Sequence, residues 1–182
     1  MLLKRRIQIL LVLLCLIAAA YKVYRWQINM GVWGNAWSGN LPALKQQLDR
    51  GGNPDSSWQG LTALGGAIAN HHRPVAVLLL ERGADPNRSF TIAVRSGDPA
   101  LVDLMFAHGL DAHSKRRRDA LSTAIWCGRA DMVALLLRHG VDPNARNPYN
   151  GKPPLQEAHA ALALEQPGAP RILALLRAAG AK

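Results

Sequence analysis

Histidine and cysteine are the side chains here that could ligate a metal or act as base or nucleophile, and their placement argues against both. The chain has six histidines and two cysteines in 182 residues. His71 and His72 are adjacent, whereas His108 and His139 each precede a glycine that closes a leucine-rich stretch, "LMFAHG" and "LLLRHG". A metal site needs donors at converging spacings, and no Cys-x-x-Cys pair or His-Glu-x-x-His segment occurs. Nor is there a phosphate-binding glycine loop, or a nucleophile motif to support a Ser-His-Asp site. Histidines that recur at one position of a repeated phrase are expected to serve structure or face solvent. We therefore read no catalytic residues, no metal and no cofactor, and expect a protein that is not an enzyme. Cys15 lies in an apolar run and Cys127 stands alone, so no internal disulfide is expected. For Cys127 plain packing is the expected role.

The phrase that holds His139 points to the architecture. "LLLERGADPN", Leu78 to Asn87, returns as "LLLRHGVDPN", Leu135 to Asn144. Degraded copies place further glycines at Gly51, Gly109 and Gly180, giving intervals of 32, 26, 31 and 40 residues. Upstream of these glycines run "LTALGGAIANHH", "SFTIAVRSGD", "DALSTAIWCGRAD" and "PPLQEAHAAL". Each unit thus pairs a short alanine-centred helix with a second helix ending in leucines. Two such helices cannot bury their apolar faces alone, so neighbouring units must stack. The glycines suit left-handed helix C-caps and Asp-Pro-Asn begins a turn. Leu78, Leu79 and Leu80, like Leu135, Leu136 and Leu137, are expected in the core.

The formal charge of +10 is unevenly spread. Lys4, Arg5, Arg6, Lys22 and Arg25 supply five charges, and no acid occurs before Asp49, so residues 30–182 carry the other half. The start, "KRRIQILLVLLCLIAAAYKVYRWQ", has three cations, 15 largely apolar residues from Ile7 to Tyr21, then aromatics and two more cations. Ala18, Ala19 and Ala20 would suit a cleaved signal peptide. Lys22 and Arg25 beyond them, with Tyr21, Tyr24 and Trp26 as an interfacial belt, favour an uncleaved anchor. Residues 7–24 would reach about 27 Å as a helix, enough to span a membrane with Lys22 extended outward. Leu14 before Cys15 does not suit lipidation. The charge imbalance keeps the N-terminus cytoplasmic, so the expectation is a single-pass inner-membrane protein with residues 30–182 in the periplasm or outside the cell. The alternative is a soluble periplasmic protein cleaved near Ala20. Export also disfavours nucleic acid as a partner.

"GLTALGGAIANHHRPVAVLLLERGADPN", Gly60 to Asn87, and "DALSTAIWCGRADMVALLLRHGVDPN", Asp119 to Asn144, resemble the ankyrin repeat family. That family's unit runs Gly-x-Thr-Pro-Leu-His-x-Ala-Ala-x-x-Gly, then Val-x-x-Leu-Leu-x-x-Gly-Ala-Asp-x-Asn. The resemblance covers residues 30–182 in five units, about 30–55, 56–87, 88–113, 114–144 and 145–182, after an anchor over 1–29. It implies an all-α solenoid of helix-turn-helix units. Thr-Pro-Leu-His appears only as "TALG", "DALS" and "PPLQ". The 26-residue interval implies that the hairpin between units two and three is missing. The 40-residue interval implies an insertion near "EQPGAP" in a capping last unit.

By the same resemblance, the first helices form a palm and the hairpin tips form fingers. One exposed palm column then reads Trp37, Ala69, Arg95, Trp126 and Ala160, and the next Ser38, Asn70, Ser96, Cys127 and Ala161. Trp58 and Tyr149 take equivalent finger tips. Trp, Tyr and Arg anchor interfaces more than other residues, which makes Trp37, Trp58, Arg95, Trp126 and Tyr149 the candidate partner-binding residues. The bland readings are that Trp37 packs the membrane-side end of the stack and that Trp33 is core. "SKRRRD", Ser114 to Asp119, is placed in the third finger. Lys115, Arg116, Arg117 and Arg118 would there be a solvated loop or would meet an acidic partner or anionic lipid. The expected function is a non-enzymatic interaction module displayed from a membrane, an accessory or protective factor for an envelope protein. Alternatives are an immunity protein against a periplasm-delivered toxin and a structural envelope protein.

Overall fold

Helix follows helix along the chain. The computed structural model describes residues 2–110 and 115–182, and the side chains of 10–110 and 120–182. Five helix pairs succeed one another: α1 (Leu2–Ser38) with α2 (Leu41–Asp49), α3 (Ala63–Ala69) with α4 (Arg73–Glu81), and α5 (Phe90–Ser96) with α6 (Pro99–Ala107). α7 (Lys115–Trp126) with α8 (Ala130–Arg138), and α9 (Pro154–Ala163) with α10 (Ala169–Ala178), complete the set. The first members pack on one another in sequence, α1 on α3, α3 on α5, α5 on α7 and α7 on α9, and the second members do likewise. The result is the expected all-α solenoid of two helical layers.

Local sequence explains where each helix starts and stops. Proline occupies the first turn of α2, α4, α6, α9 and α10, where its missing N–H costs nothing. Asn40, Thr62 and Asp98 cap α2, α3 and α6, each side chain accepting from a backbone amide at 2.9–3.1 Å. Gly51, Gly83, Gly109, Gly140 and Gly180 all take left-handed φ between 76° and 85°, and each amide donates back to the helix it ends. Alanines 36, 63, 67, 93, 120, 124, 158 and 161 are fully buried, small enough to let the inner helices lie close. Leu79, Leu80, Leu135 and Leu136 are buried between the layers, and Leu78 and Leu137 pack partly exposed against them.

Polar bonds join neighbouring units. Thr62 Oγ1 and Ser89 Oγ lie 2.6 Å apart, Asp55 Oδ1 accepts the Asp85 amide at 2.8 Å, and Asn29 Oδ1 accepts the Asn53 amide at 3.0 Å. The ion pairs Arg82–Asp49 and Arg73–Asp98 and the hydrogen bond between His139 Nε2 and Asp103 Oδ1 bridge successive outer helices or their ends. His139 also stacks on Phe106 at 3.7 Å, which gives this recurring histidine its structural role.

The connections follow the interval lengths. Between units one and two, β1 (Ser57–Trp58) and β2 (Leu61–Thr62) form a hairpin whose turn residues Gln59 and Gly60 both have positive φ. Between units two and three the chain makes only a 3₁₀ turn, Pro86–Arg88, so the shortened loop has lost its hairpin. The insertion in the last unit is the loop 164–168 between α9 and α10.

Two features depart from the expectations. The backbone of Lys115–Asp119 belongs to α7, not to a finger loop. No glycine or proline interrupts Ser114–Ala120, and Lys and Arg are good helix formers. The side chains of Arg116, Arg117 and Arg118 lie outside the described residues, as do residues 111–114. At the N-terminus, α1 runs unbroken through the expected anchor and on into the first repeat. Ile28, Val32 and Ala36 of its C-terminal half are buried in the stack. Leu10 to Tyr24 extend from it with their large apolar side chains exposed on every face. Leu10–Ser38 is long and apolar enough to cross a membrane.

Candidate partner-binding face

The palm is built by the first helix of each pair, α1, α3, α5, α7 and α9. Trp37, Ala69, Arg95 and Trp126 are exposed there, and Ala160 is half-buried. In the next column Ser38 and Cys127 are exposed and Asn70 and Ser96 half-buried, but Ala161 is fully buried. The Ala161 carbonyl accepts the Gln166 amide as those of Ala67 and Ala124 accept the amides of His72 and Arg129, so Ala161 holds the buried inner-alanine position and not the exposed column. Cys127 corrects the packing expectation, because its thiol lines an open cleft.

Two adjoining clefts, of about 530 and 510 Å3, share Arg95 as a common wall. The first is lined by Thr91, Thr123, Trp126, Cys127 and Tyr149 among others, and the second by Ala69, His71, Ile92 and Arg129. Of the sequence-selected residues, Arg95, Trp126 and Tyr149 therefore come together around one hollow. Trp37 and Trp58 do not line it. Trp37 stacks on Trp33 at 5.5 Å and lies over Gly66, while Trp33 Nε1 donates to the Leu61 carbonyl at 3.0 Å. These indoles brace the first repeat against the hairpin that carries Trp58, although Trp37 and Trp58 each remain 43% exposed.

A residue not selected from the sequence organises the cleft. Glu157 of α9 is fully buried, and its carboxylate gathers donors from three directions. Ser122 Oγ donates to Oε2 at 2.6 Å; Asn147 and Asn150 donate to Oε1 at 2.7 and 3.0 Å. Trp126 Nε1 approaches Oε1 at 3.5 Å. A buried carboxylate tolerates its desolvation only with such donors. Here they tie α7, α9 and the loop 144–153 together. That loop closes on itself, the Asn147 amide donating to the Lys152 carbonyl at 2.9 Å and the Gly151 amide to the Asn147 carbonyl at 2.8 Å. Its tip presents Tyr149, 85% exposed. The signal was the pair of asparagines flanking Tyr149, together with an acid inside the alanine-rich "PPLQEAHAAL".

The electrostatics are one-sided. Among the described side chains of α1, α3, α5, α7 and α9 the only carboxylate is Glu157, which is internal, while Arg95 is exposed and in no ion pair found among the described residues. No cluster of three or more His, Cys, Asp or Glu that could hold a metal occurs among the described residues.

Residues 105–158 match the family described as ankyrin repeats (many copies). Residues 105–158 are ankyrin repeats. The mouse (Mus musculus) B-cell lymphoma 3 protein homolog is 33% identical over 107 residues, which is 53% of this chain and 24% of that protein. The chain thus spans about a quarter of the length of that curated relative. Ankyrin repeats are protein–protein interaction modules rather than enzymes, and the open palm of this stack has the form such a module requires.

Proposed function

We propose that this ankyrin array binds a protein partner in the palm cleft while α1 holds it at a membrane, with the repeats outside the cytoplasm, as an accessory or protective factor for an envelope protein. The observation that carries the reading is the convergence of Arg95, Trp126 and Tyr149 on one hollow braced by Glu157. Arg and aromatic side chains held in fixed positions are what interface centres use, since little side-chain entropy is then lost on binding. The palm's positive charge favours a partner presenting acidic and apolar groups together. The uncovered apolar stretch of α1 supports membrane insertion, because a helix that is apolar all round and touches no protein is suited to lipid.

Affinity capture from crosslinked cells tests this, comparing the native chain with a Trp126→Ala, Tyr149→Ala double variant. One envelope protein captured by the native chain and lost by the folded variant is the expected result. An identical catch from both would move the site off the palm.

A further inference from the structure

A third hollow lies in the first repeat, where α1 meets α2. It measures about 360 Å3 and is lined by Tyr24, Gln27 and Ile28 of α1 with Gln47 and Arg50. Gln47 contributes to the wall, its Oε1 shut off from solvent. Arg50, one helical turn on and hence on the same face, is exposed and in no ion pair found among the described residues. The adjacent carboxylate, Asp49, is taken by Arg82 at 2.8 Å. Arg25 donates to the Gly51 carbonyl at 2.5 Å, which sets a second guanidinium beside the same end of α2, and Lys22 lies one turn earlier on Arg25's face. The hollow therefore has a cationic rim.

Its position adds the remaining argument. Tyr24 closes the run of exposed apolar side chains, and Tyr21 and Trp26 beside it are exposed aromatics of the kind that settle at headgroup level. Because α1 is continuous, the hollow stands at a fixed height above that run. We propose that the α1–α2 hollow binds the headgroup of an anionic glycerophospholipid, its phosphodiester at Arg50 and its net negative charge beside Arg25 and Lys22. The proposal rests on the membrane insertion of α1 put forward above. It gives the array a fixed posture on the bilayer, with lipid as part of its first repeat.

The full chain in non-ionic detergent, examined by native mass spectrometry, provides the test. The probes are short-chain phosphatidylglycerol, phosphatidylcholine of equal chain length and inorganic phosphate. The expected result is one phosphatidylglycerol retained per chain, phosphatidylcholine held at least about fivefold more weakly, and phosphatidylglycerol weakened about tenfold by Arg50→Ala. Arg50→Ala should also narrow the preference between the two lipids, with far-UV circular dichroism unchanged. Equal retention of both lipids by native and variant chains would overturn the proposal. Displacement of lipid by equimolar inorganic phosphate would replace it with a free-phosphate site. Alkaline carbonate extraction of cells separates the two readings: release of the native chain refutes membrane insertion, whereas a resistant chain without lipid preference refutes only the headgroup site.

Discussion

Replacing Glu157 should loosen the last two repeats, by an amount that depends on how many donors lose their acceptor. Glu157→Leu leaves the buried Ser122 hydroxyl and the buried Asn147 amide without the oxygens they meet at 2.6 and 2.7 Å. Each orphaned buried donor costs about 1–3 kcal/mol, partly offset by the leucine's own burial, for a net loss of about 3 kcal/mol. Glu157→Gln keeps one oxygen for the two asparagines, and the Ser122 hydroxyl can turn to accept from the new amide. Its cost should be only about 1 kcal/mol, the difference between a charge-assisted and a neutral bond. Urea unfolding of the full chain in mild detergent, with amide hydrogen exchange over residues 144–163, would read both the size and the location of the effect. Stacked repeats open locally, so faster exchange should be confined to that loop and α9. A Glu157→Leu chain within about 0.5 kcal/mol of native would refute the bracing role. Equal damage from both substitutions would show that charge, not the number of satisfied donors, holds the cleft.

Four further outcomes follow from backbone geometry and charge. Gly83 has φ 85° with open space around its Cα, so Gly83→Ala should cost about 1 kcal/mol through conformation alone. Gly128 has φ 67° and faces the Pro167 carbonyl, where a Cβ has no room; Gly128→Ala should cost about 3 kcal/mol, and melting curves of the two variants would separate the contributions. His71 holds, at φ 59°, the left-handed turn position that Gly39, Gly97 and Gly128 fill in other units. His71→Gly should therefore raise stability by about 0.5 kcal/mol, and a loss on thermal unfolding would contradict this. Arg95→Glu should weaken partner binding at least about tenfold while leaving the melting temperature near native, as measured by titration against the captured partner.

The solenoid was legible because its signals are local. Gly51, Gly83, Gly109, Gly140 and Gly180 each mark a helix end by a conformation that other residues resist, and the leucines before them mark the buried stripe. The alanines that let the inner helices approach were equally visible. The candidate face was legible only as columns: Arg95, Trp126 and Tyr149 meet at one cleft, whereas Trp37 turns toward Trp33 and Gly66. That difference arises from packing at the first repeat, which no spacing encodes. Glu157 went unselected because its donors come from Ser122, Asn147 and Asn150, brought together only by the stacking of α7 on α9. α1 runs on through Gly31 and Gly34, which weaken a helix locally, because burial of Val32 and Ala36 sustains it.

The most direct test of the central claim is site-specific photocrosslinking in living cells, with a photoreactive residue placed in turn at Trp126, Tyr149 and the outward-facing Asp131 of α8. A partner bound in the palm predicts one discrete adduct of the same mass from positions 126 and 149 and none from 131. The same adduct from 131, or its absence from both palm positions in a folded chain, would contradict the account.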